Sequence, residues 1–409
     1  MFFSGSSKNT KEAIKFLIQN LRIKCQKSFL AIFLVAVVVI QLFSVEVQGS
    51  DNAKTEKVSL HLKWMHAFQF AGYYAAAEKG YYAEEGLDVV MKEASTESKA
   101  IKAVLSGNAN FGVSSSDILN YRLSGEPLVV LSVIFQHSPE IILSRKDNNI
   151  RRPSDLIGRK IMVDSEMSYA TFIAMLTQEG LAVNDVTIIS QSWDLNDIVD
   201  GKVDAAIGYI TDQPNQMRLR GVDPFIINPI EYGIDFYGDC LFTTEEEIRQ
   251  NPERVAAFRR ASLKGWEYAM SNVEELIELI LQMPGVRERG ITAEHLRYEA
   301  EQMQELIMPK LVEIGHINPG RWKYIADTYV GLGMLDSDYS LEGFMYETDP
   351  EPNYWWMYGL LIGITAINVF AFFVWGWYHQ LRKIVDRRTH DLKESETKLL
   401  EARKIAGIV

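Results

Sequence analysis

Cysteine is scarce in this sequence, which has Cys25 and Cys240 among 409 residues. Two cysteines are too few for a disulfide framework or a thiolate metal centre. Histidine is also sparse, and no two histidines of the central region lie four residues apart, the spacing that lets one helix face hold a metal. These histidines are His61, His66, His137, His295 and His316. We therefore predict no metal site.

Positive charge is missing where contact with nucleic acid would require it. The formal net charge is −12, and residues 29–378 carry −20 because the two ends are basic: residues 1–28 carry +5 and residues 379–409 carry +3. An acidic centre excludes nucleic acid as a partner of the main domain. The basic, acidic and basic layout is typical of a chain that crosses a membrane.

Two long apolar runs agree with a membrane topology. Residues 29–45 read FLAIFLVAVVVIQLFSV after a basic leader, which predicts a signal anchor or signal peptide over 29–48 and leaves its cleavage open. The stretch from Tyr354 to Tyr378 has no charged residue, aromatic residues at both ends and Arg382 just beyond it. It is long enough to cross a hydrocarbon core of about 30 Å. We predict two transmembrane helices.

The positive-inside rule then orients the chain in a bacterial inner membrane. The large domain lies in the periplasm and the tail in the cytoplasm, so Cys25 and Cys240 lie on opposite sides. The predicted segments are a basic cytoplasmic N-terminus (1–28), the signal segment (29–48), an extracytoplasmic domain (50–353), a transmembrane helix (354–378) and a cytoplasmic helical linker (379–409).

Short apolar strands alternate with helical periodicity between the two membrane segments, which indicates an α/β fold with parallel strands. One α/β unit starts at the strand over 58–64, and a second starts at the strand over 160–164. A long helix-rich stretch follows 251–253. We expect two lobes that close on a ligand by hinge bending. The predicted bounds are about 57–147 and 235–345 for lobe 1, and about 148–234 for lobe 2.

Several motifs resemble those of a known family. They are LHLKW at 60–64, QFAGYY at 69–74, EKGYY at 78–82, EGLDV at 85–89, SGNANFGV at 106–113, LIGRKI at 156–161, DAAIG at 204–208 and YGDCL at 237–241. Together, over about 57–330, they resemble the thiamine-pyrimidine synthases and their bacterial periplasmic solute-binding relatives. The resemblance implies the type II periplasmic-binding-protein fold.

Two activities occur in that family, and the resemblance separates them by residue. It implies that a synthase needs a lysine to hold pyridoxal phosphate, a histidine that it consumes, and a cysteine-rich segment with iron. The matching positions here are Ser114, Ile118 and the segment 237–242, which has one cysteine. We therefore expect a binding protein without a cofactor, not an enzyme.

Polar and aromatic residues that follow strand ends are the candidate ligand contacts, because ligands of open α/β sheets bind there. In lobe 1 these are Trp64, His66, Phe68, Gln69 and Tyr73, followed by Ser114, Ser115, Ser116 and Asp117. In lobe 2 and near the return crossing they are Asp164, Ser165, Tyr209, Asp212, Tyr232, Asp235, Tyr237 and Asp239. So many carboxylates favour an amino-bearing ligand over an anion.

Each of these groups has an alternative interpretation. Trp64 and Phe68 could instead belong to the core. Residues 114–117 could form an ordinary helix N-cap. Asp239 could be a turn residue.

The cytoplasmic tail carries a partly apolar heptad pattern over 381–402, which predicts a coiled coil and a homodimer. This tail resembles the linker that precedes an output domain in membrane histidine kinases and diguanylate cyclases, although no kinase or cyclase motif is present. The leading hypothesis is a membrane-anchored sensor of a thiamine-pyrimidine precursor or a similar amino-heterocycle, either as a truncated receptor or acting with a separate output protein. The alternatives are the binding component of an ABC importer, working with a permease, and a thiamine-pyrimidine synthase.

Overall fold

The predicted alternation of strands and helices forms two separate sheets in the computed structural model, which describes residues 55–95, 98–163, 169–192, 194–347 and 355–405. The strands are β1 (Glu56–His61), β2 (Leu87–Lys92), β3 (Phe111–Ser114), β4 (Leu128–Val133), β5 (Glu140–Arg145), β6 (Lys160–Val163), β7 (Thr187–Ser190), β8 (Ala205–Tyr209), β9 (Pro224–Ile227) and β10 (Cys240–Thr244).

Helices connect these strands and continue after the last one. They are α1 (Ala71–Glu78), α2 (Tyr81–Glu84), α3 (Ala100–Leu105), α4 (Ile118–Leu123), α5 (Tyr169–Gln178), α6 (Asn196–Val199), α7 (Gln213–Leu219), α8 (Glu245–Gln250), α9 (Pro252–Ser271), α10 (Val273–Ile280), α11 (Ala293–Ile307), α12 (Pro319–Gly331) and α13 (Trp355–Ile405). Gly80 stops α1 because its φ of +74° suits glycine.

The sheet of lobe 1 has the order β2-β1-β3-β10-β4. Strands β1 and β3 are parallel, and β10 runs antiparallel to both β3 and β4. The β4 sequence LVVLSV is buried along its whole length, as expected for a strand covered on both faces. The chain thus returns to this sheet at β10, after the strands of the second sheet.

The sheet of lobe 2 has the order β7-β6-β8-β5-β9. Strand β5 pairs antiparallel with β8 and β9, so it belongs to lobe 2, although residues up to 147 had been assigned to lobe 1. The first crossing between the lobes therefore precedes Glu140. The reason is that antiparallel pairing with strands far ahead in the chain leaves no local sequence signal.

The helical remainder packs mainly on lobe 1. Helices α9, α10 and α11 share a buried core with β1 and α1, centred on Phe258 and Trp266. Helix α12 is different, because Trp322 and Tyr329 join a core that includes residues of both sheets. Helices α9–α11 therefore pack on lobe 1, to which the whole remainder was predicted to belong, whereas α12 packs on both lobes.

One helix among the described residues is long and apolar enough to cross a membrane. It is α13, whose 51 residues span about 76 Å at 1.5 Å per residue. The predicted C-terminal span and most of the linker are therefore one continuous helix. The predicted N-terminal segments 1–28 and 29–48 lie outside the described residues, and the coiled coil over 381–402 stays a prediction.

Candidate functional site

The ends of three strands bring distant polar residues to one edge of the lobe 1 sheet. Because β1 and β3 are parallel and β10 is antiparallel to β3, the end of β1, the end of β3 and the start of β10 coincide. Lys63 follows β1, Ser115 follows β3 and Asp239 precedes β10. The topology thus concentrates charge at the edge where ligands of such sheets bind.

We call the group formed by Lys63, Gln69, Ser114, Ser115, Asp117 and Asp239 the buried polar network. Lys63 Nζ donates to Asp239 Oδ1 at 3.0 Å and to Ser115 Oγ. Gln69 Nε2 donates to both carboxylate oxygens of Asp239, at 3.1 and 2.8 Å. The Lys63 and Asp239 side chains are 3% and 1% exposed. Such a fully buried pair requires this complete set of hydrogen bonds.

Asp117 extends the network on the β3 side. Ser114 Oγ donates to the Asp117 carboxylate at 2.9 and 3.2 Å, whereas the Asp117 side chain makes no capping hydrogen bond to α4. The alternative of an ordinary N-cap is therefore not supported. All four residues of 114–117 are buried.

Lobe 2 faces the buried polar network with Tyr209 and Glu140. The Lys63 ammonium lies 5.1 Å from the centre of the Tyr209 ring, a cation–π contact between the lobes. Glu140 is buried and pairs with Tyr209 in the register of β5 and β8. The charge of Lys63 acts on the buried carboxylates of Asp239 and Asp117, and the charge of Glu140 acts on Asp117.

Burial and charge set the protonation of the network. Burial disfavours the Lys63 ammonium, but the carboxylate of Asp239 outweighs this and raises the pKa of Lys63. Burial raises the pKa of Asp117 to about 7, although the charge of Lys63 and the bond from Ser114 oppose the rise. Burial also raises the pKa of Tyr209 to about 12, so its hydroxyl stays neutral. Asp117 is therefore poised to change charge near neutral pH.

A cavity of about 210 Å³ lies between the lobes, and we call it the interlobe cavity. Trp64, His66 and Arg289 line it from lobe 1, and Met162, Gln191 and Asp212 line it from lobe 2. His66 Nδ1 lies 2.8 Å from the Tyr74 hydroxyl, and burial lowers the pKa of His66. A neutral imidazole beside an indole provides an aromatic wall.

One polar atom in the wall of the interlobe cavity, Oε1 of Gln191, lacks a hydrogen-bond partner among the described residues. An unpaired buried polar atom costs about 1–3 kcal/mol, so this atom is suited to contact a ligand.

The wall of the interlobe cavity includes a second set of contacts between the lobes. His295 Nε2 of α11 lies 2.9 Å from Asp212 Oδ1 of lobe 2, and the Tyr298 hydroxyl donates to the Ile210 carbonyl at 2.9 Å. Glu299 accepts the Phe68 N–H at 2.8 Å. Burial and the nearby charge of Asp212 raise the pKa of Glu299 to about 8.

The structure brings together many, but not all, of the predicted site residues. Five of them belong to the buried polar network: Gln69, Ser114, Ser115, Asp117 and Asp239. Ser116 is buried next to this network. Four more lie around the cleft: Trp64, His66, Tyr209 and Asp212.

Five predicted residues lie elsewhere. Phe68 and Tyr73 are core residues, with Tyr73 packed edge-on against Trp266. Tyr232 belongs to the other core, Asp235 pairs with His137 and Arg321, and Tyr237 packs against Trp322. Asp164 and Ser165 lie outside the described residues.

Sequence reasoning missed Lys63, Glu140, Gln191, His295 and Glu299 as cleft residues. The sequence position of Lys63 could have indicated its role. A lysine directly after an apolar strand either pairs with a buried acidic group or extends into solvent. The other four follow no motif. Their place depends on which strands and helices pack together.

Comparison with known proteins adds a family relation. The profile of the family described as "NMT1/THI5 like" matches residues 67–276. The riboflavin-binding protein RibY of Chloroflexus aurantiacus is 30% identical over 56% of this chain and 66% of its own length, just under two thirds. The formylaminopyrimidine-binding protein of Halalkalibacterium halodurans is 27% identical over 57% of this chain and 72% of its own.

Enzymes match at lower identity. The 4-amino-5-hydroxymethyl-2-methylpyrimidine phosphate synthase of Legionella pneumophila is 23% identical over 55% of this chain and 73% of its own. Among solved structures, the alkanesulfonate-binding protein SsuA of Xanthomonas axonopodis pv. citri, bound to MOPS, aligns with a TM-score of 0.58 at 14% identity. The alignment covers 72% of this chain and 99% of that protein, which confirms the two-lobed binding-protein fold.

Proposed function

Because this chain belongs to the NMT1/THI5-like family, we propose that it is a membrane-anchored extracytoplasmic sensor whose lobes close on a small amino-heterocycle of the thiamine-pyrimidine kind. The observation that carries the proposal is the charge of the cleft, in which the buried carboxylates of Asp117 and Asp239 lie near the ammonium of Lys63. Excess buried carboxylate favours a ligand that brings N–H donors or positive charge. It disfavours a sulfonate.

The size and walls of the interlobe cavity support a ligand with a single ring. A volume of about 210 Å³ lies below the ~300–1,000 Å³ of pockets for drug-sized ligands. Trp64 offers a face for stacking and Gln191 an unpaired acceptor. The name of the formylaminopyrimidine-binding relative agrees with this chemistry better than that of the riboflavin-binding relative, because a flavin has three fused rings.

The buried polar network argues against synthase chemistry. A Schiff base with an aldehyde cofactor needs a neutral amine. The Asp239 carboxylate stabilises the ammonium form of Lys63 and raises its pKa, so this amine is charged. Ser114 occupies the position that matches the synthase lysine. Burial also raises the pKa of the single Cys240 thiol, which weakens it as a metal ligand.

The ligand test uses the full-length chain purified in detergent. We expect formylaminopyrimidine or hydroxymethylpyrimidine to raise its thermal unfolding temperature, with no shift for MOPS, riboflavin or pyridoxal phosphate. At a hundredfold excess over the dissociation constant the ligand would stabilise the fold by about 2.7 kcal/mol. A shift with MOPS alone, or with pyridoxal phosphate alone, would contradict the proposed ligand.

A matched pair of variants locates the site. Gln191→Leu removes the unpaired acceptor and should weaken pyrimidine binding about tenfold, while Gln178→Leu, an exposed glutamine of the same lobe, should bind like the wild type. Equal binding by both variants would place the ligand away from the interlobe cavity.

The continuous helix α13 supports a sensor over an importer component. A binding component needs only a tether, whereas a rigid helix that passes through the membrane can carry a movement of the lobes to the tail. The heptad residues Leu392 and Leu399 are exposed on this helix, as a dimer contact requires. We expect a pyrimidine to change disulfide cross-linking through a Leu392→Cys substitution, in a Cys25→Ser background, in membranes. Unchanged cross-linking with intact binding would favour the importer alternative.

A further inference from the structure

Three side chains with metal-binding groups meet across the two lobes at the wall of the interlobe cavity. Asp212 belongs to lobe 2, whereas His295 and Glu299 lie four residues apart on α11 of lobe 1. Their ligand atoms all lie within 4.8 Å of one another. We propose that Asp212, His295 and Glu299 bind a divalent transition-metal ion, most suitably Zn²⁺, which joins the two lobes.

The distances suit such an ion. His295 Nε2 lies 2.9 Å from Asp212 Oδ1 and 3.8 Å from Glu299 Oε1. Zinc bonds of about 2.0–2.2 Å in a tetrahedron place neighbouring ligand atoms roughly 3.3–3.5 Å apart. The two separations fall on either side of this value, so small side-chain rotations bring all three atoms into the first coordination shell.

The imidazole of His295 supplies an independent observation. His295 is 3% exposed, yet its Nε2 has no aligned hydrogen bond among the described residues, despite its closeness to Asp212. The side-chain nitrogen of Asn215 lies 3.1 Å from Nδ1. Metal binding at Nε2 places the proton on Nδ1, and a half-turn of the Asn215 amide then presents its oxygen to that proton.

Other groups orient the two carboxylates. The Phe68 N–H holds Oε2 of Glu299 at 2.8 Å, which leaves Oε1 directed at the cluster. Gln213 and Gln216 donate to Asp212 at 2.7 and 2.6 Å. Outer-shell bonds of this kind orient the ligands of metal sites.

The groups of the cluster are also ones that bind a cation. Two carboxylates face one imidazole, and the nearby Arg289 is engaged by Glu93 and the His66 carbonyl. The interlobe cavity borders all three residues and has room for a water or a ligand atom at the fourth position. The three residues are distinct from the buried polar network, and zinc binding to them can be measured without an organic ligand.

The test uses the full-length chain without a histidine tag, stripped with a chelator and purified in detergent. We expect one equivalent of ZnCl₂ to raise the thermal unfolding temperature, and CoCl₂ to give visible ligand-field bands. Asp212→Asn and His295→Gln should each weaken zinc binding about a hundredfold or more. Glu301→Gln, which removes an exposed carboxylate from the same helix, should bind zinc like the wild type.

The unfolding temperature of each metal-free variant, compared with that of the metal-free wild type, shows whether the substitution impairs folding or only zinc binding. Asp212→Asn keeps an oxygen that can accept from Gln216. No zinc-dependent shift in the folded wild type would overturn the proposal. So would wild-type zinc affinity in Asp212→Asn, since the ion would then bind without lobe 2.

Discussion

At the scale of single residues, the unusual feature is how much charge the cleft buries. Asp117 accepts from the Ser114 hydroxyl, while the ammonium of Lys63 is bonded to Asp239. Burial therefore prevails over attraction, and the pKa of Asp117 rises to about 7.

This shift predicts a pH dependence of stability. The pKa of Asp117 rises from an ordinary 3.8 to about 7 on folding, so between these values the folded chain holds the proton more tightly than the unfolded chain. The contribution of Asp117 should fall as pH rises from about 4 to 7, by up to about 4 kcal/mol. Glu299, whose pKa rises to about 8, adds a decline of the same sign. Asp117→Asn should therefore make the total decline shallower, whereas Asp88→Asn, an exposed control, should leave it unchanged. Urea unfolding from pH 4 to 8 measures both, and an unchanged slope in Asp117→Asn would refute the assignment.

At the scale of elements, close packing of α1 on α9 positions the loop that carries Trp64 and Gln69. A Cβ added at Gly72 would lie 2.1 Å from the Trp266 ring, and one at Gly265 would lie 2.1 Å from the Gly72 carbonyl oxygen. No side chain can fit between these helices. The start of α1, and with it the edge of the cleft, depends on two glycines.

Replacing Gly265 should therefore be costly. The methyl of Gly265→Ala meets backbone, which cannot rotate away, so we expect a loss of about 3 kcal/mol in the free energy of unfolding. Gly331→Ala at the end of α12 has nothing within 4 Å of the new methyl, and it should be neutral or stabilise by about 0.5–1 kcal/mol. Denaturant titration compares the two. Equal stability of both variants would mean that α1 and α9 are not held at this distance.

At the scale of the whole molecule, lobe 1 contacts lobe 2 on both sides of the interlobe cavity. Lys63 lies over Tyr209 on one side, and α11 contacts residues 210–218 on the other, where Tyr298 bonds Ile210 and stacks with Arg218. Contacts between the lobes form only in the closed conformation, so they stabilise that conformation alone. Their loss should therefore change ligand affinity more than the free energy of unfolding.

Tyr298→Phe tests this distinction. Loss of one hydrogen bond between the lobes, worth about 1 kcal/mol, should weaken pyrimidine binding about fivefold and leave the unfolding midpoint nearly unchanged. Tyr268→Phe loses a bond to Glu275 within lobe 1 and should leave binding intact. Calorimetric titration of both variants provides the measurement. A lower midpoint with unchanged affinity in Tyr298→Phe would show that α11 serves stability alone.

Local sequence patterns were enough to predict most of the secondary structure of this protein. Apolar periodicity and glycine stops located the strands and helices, the uncharged run predicted the apolar part of α13, and residues that follow strand ends, such as Gln69 and Asp117, pointed to the cleft. These features are local, because backbone hydrogen bonding and lipid exposure each impose a short repeat or a minimum length. The sequence by itself therefore determined the fold class, the family resemblance and one edge of the site.

Only the tertiary structure decided which distant residues meet. Lys63 and Asp239 are 176 positions apart, and His295 reaches Asp212 from a helix of the other lobe. The antiparallel pairing of β5 moved the lobe boundary, and packing turned Phe68 and Tyr73 into core residues. The balance of charge in the cleft is set by burial, and burial is a property of the packed chain: a carboxylate that is ordinary in water becomes a neutral acid or half of an ion pair according to what the fold brings beside it.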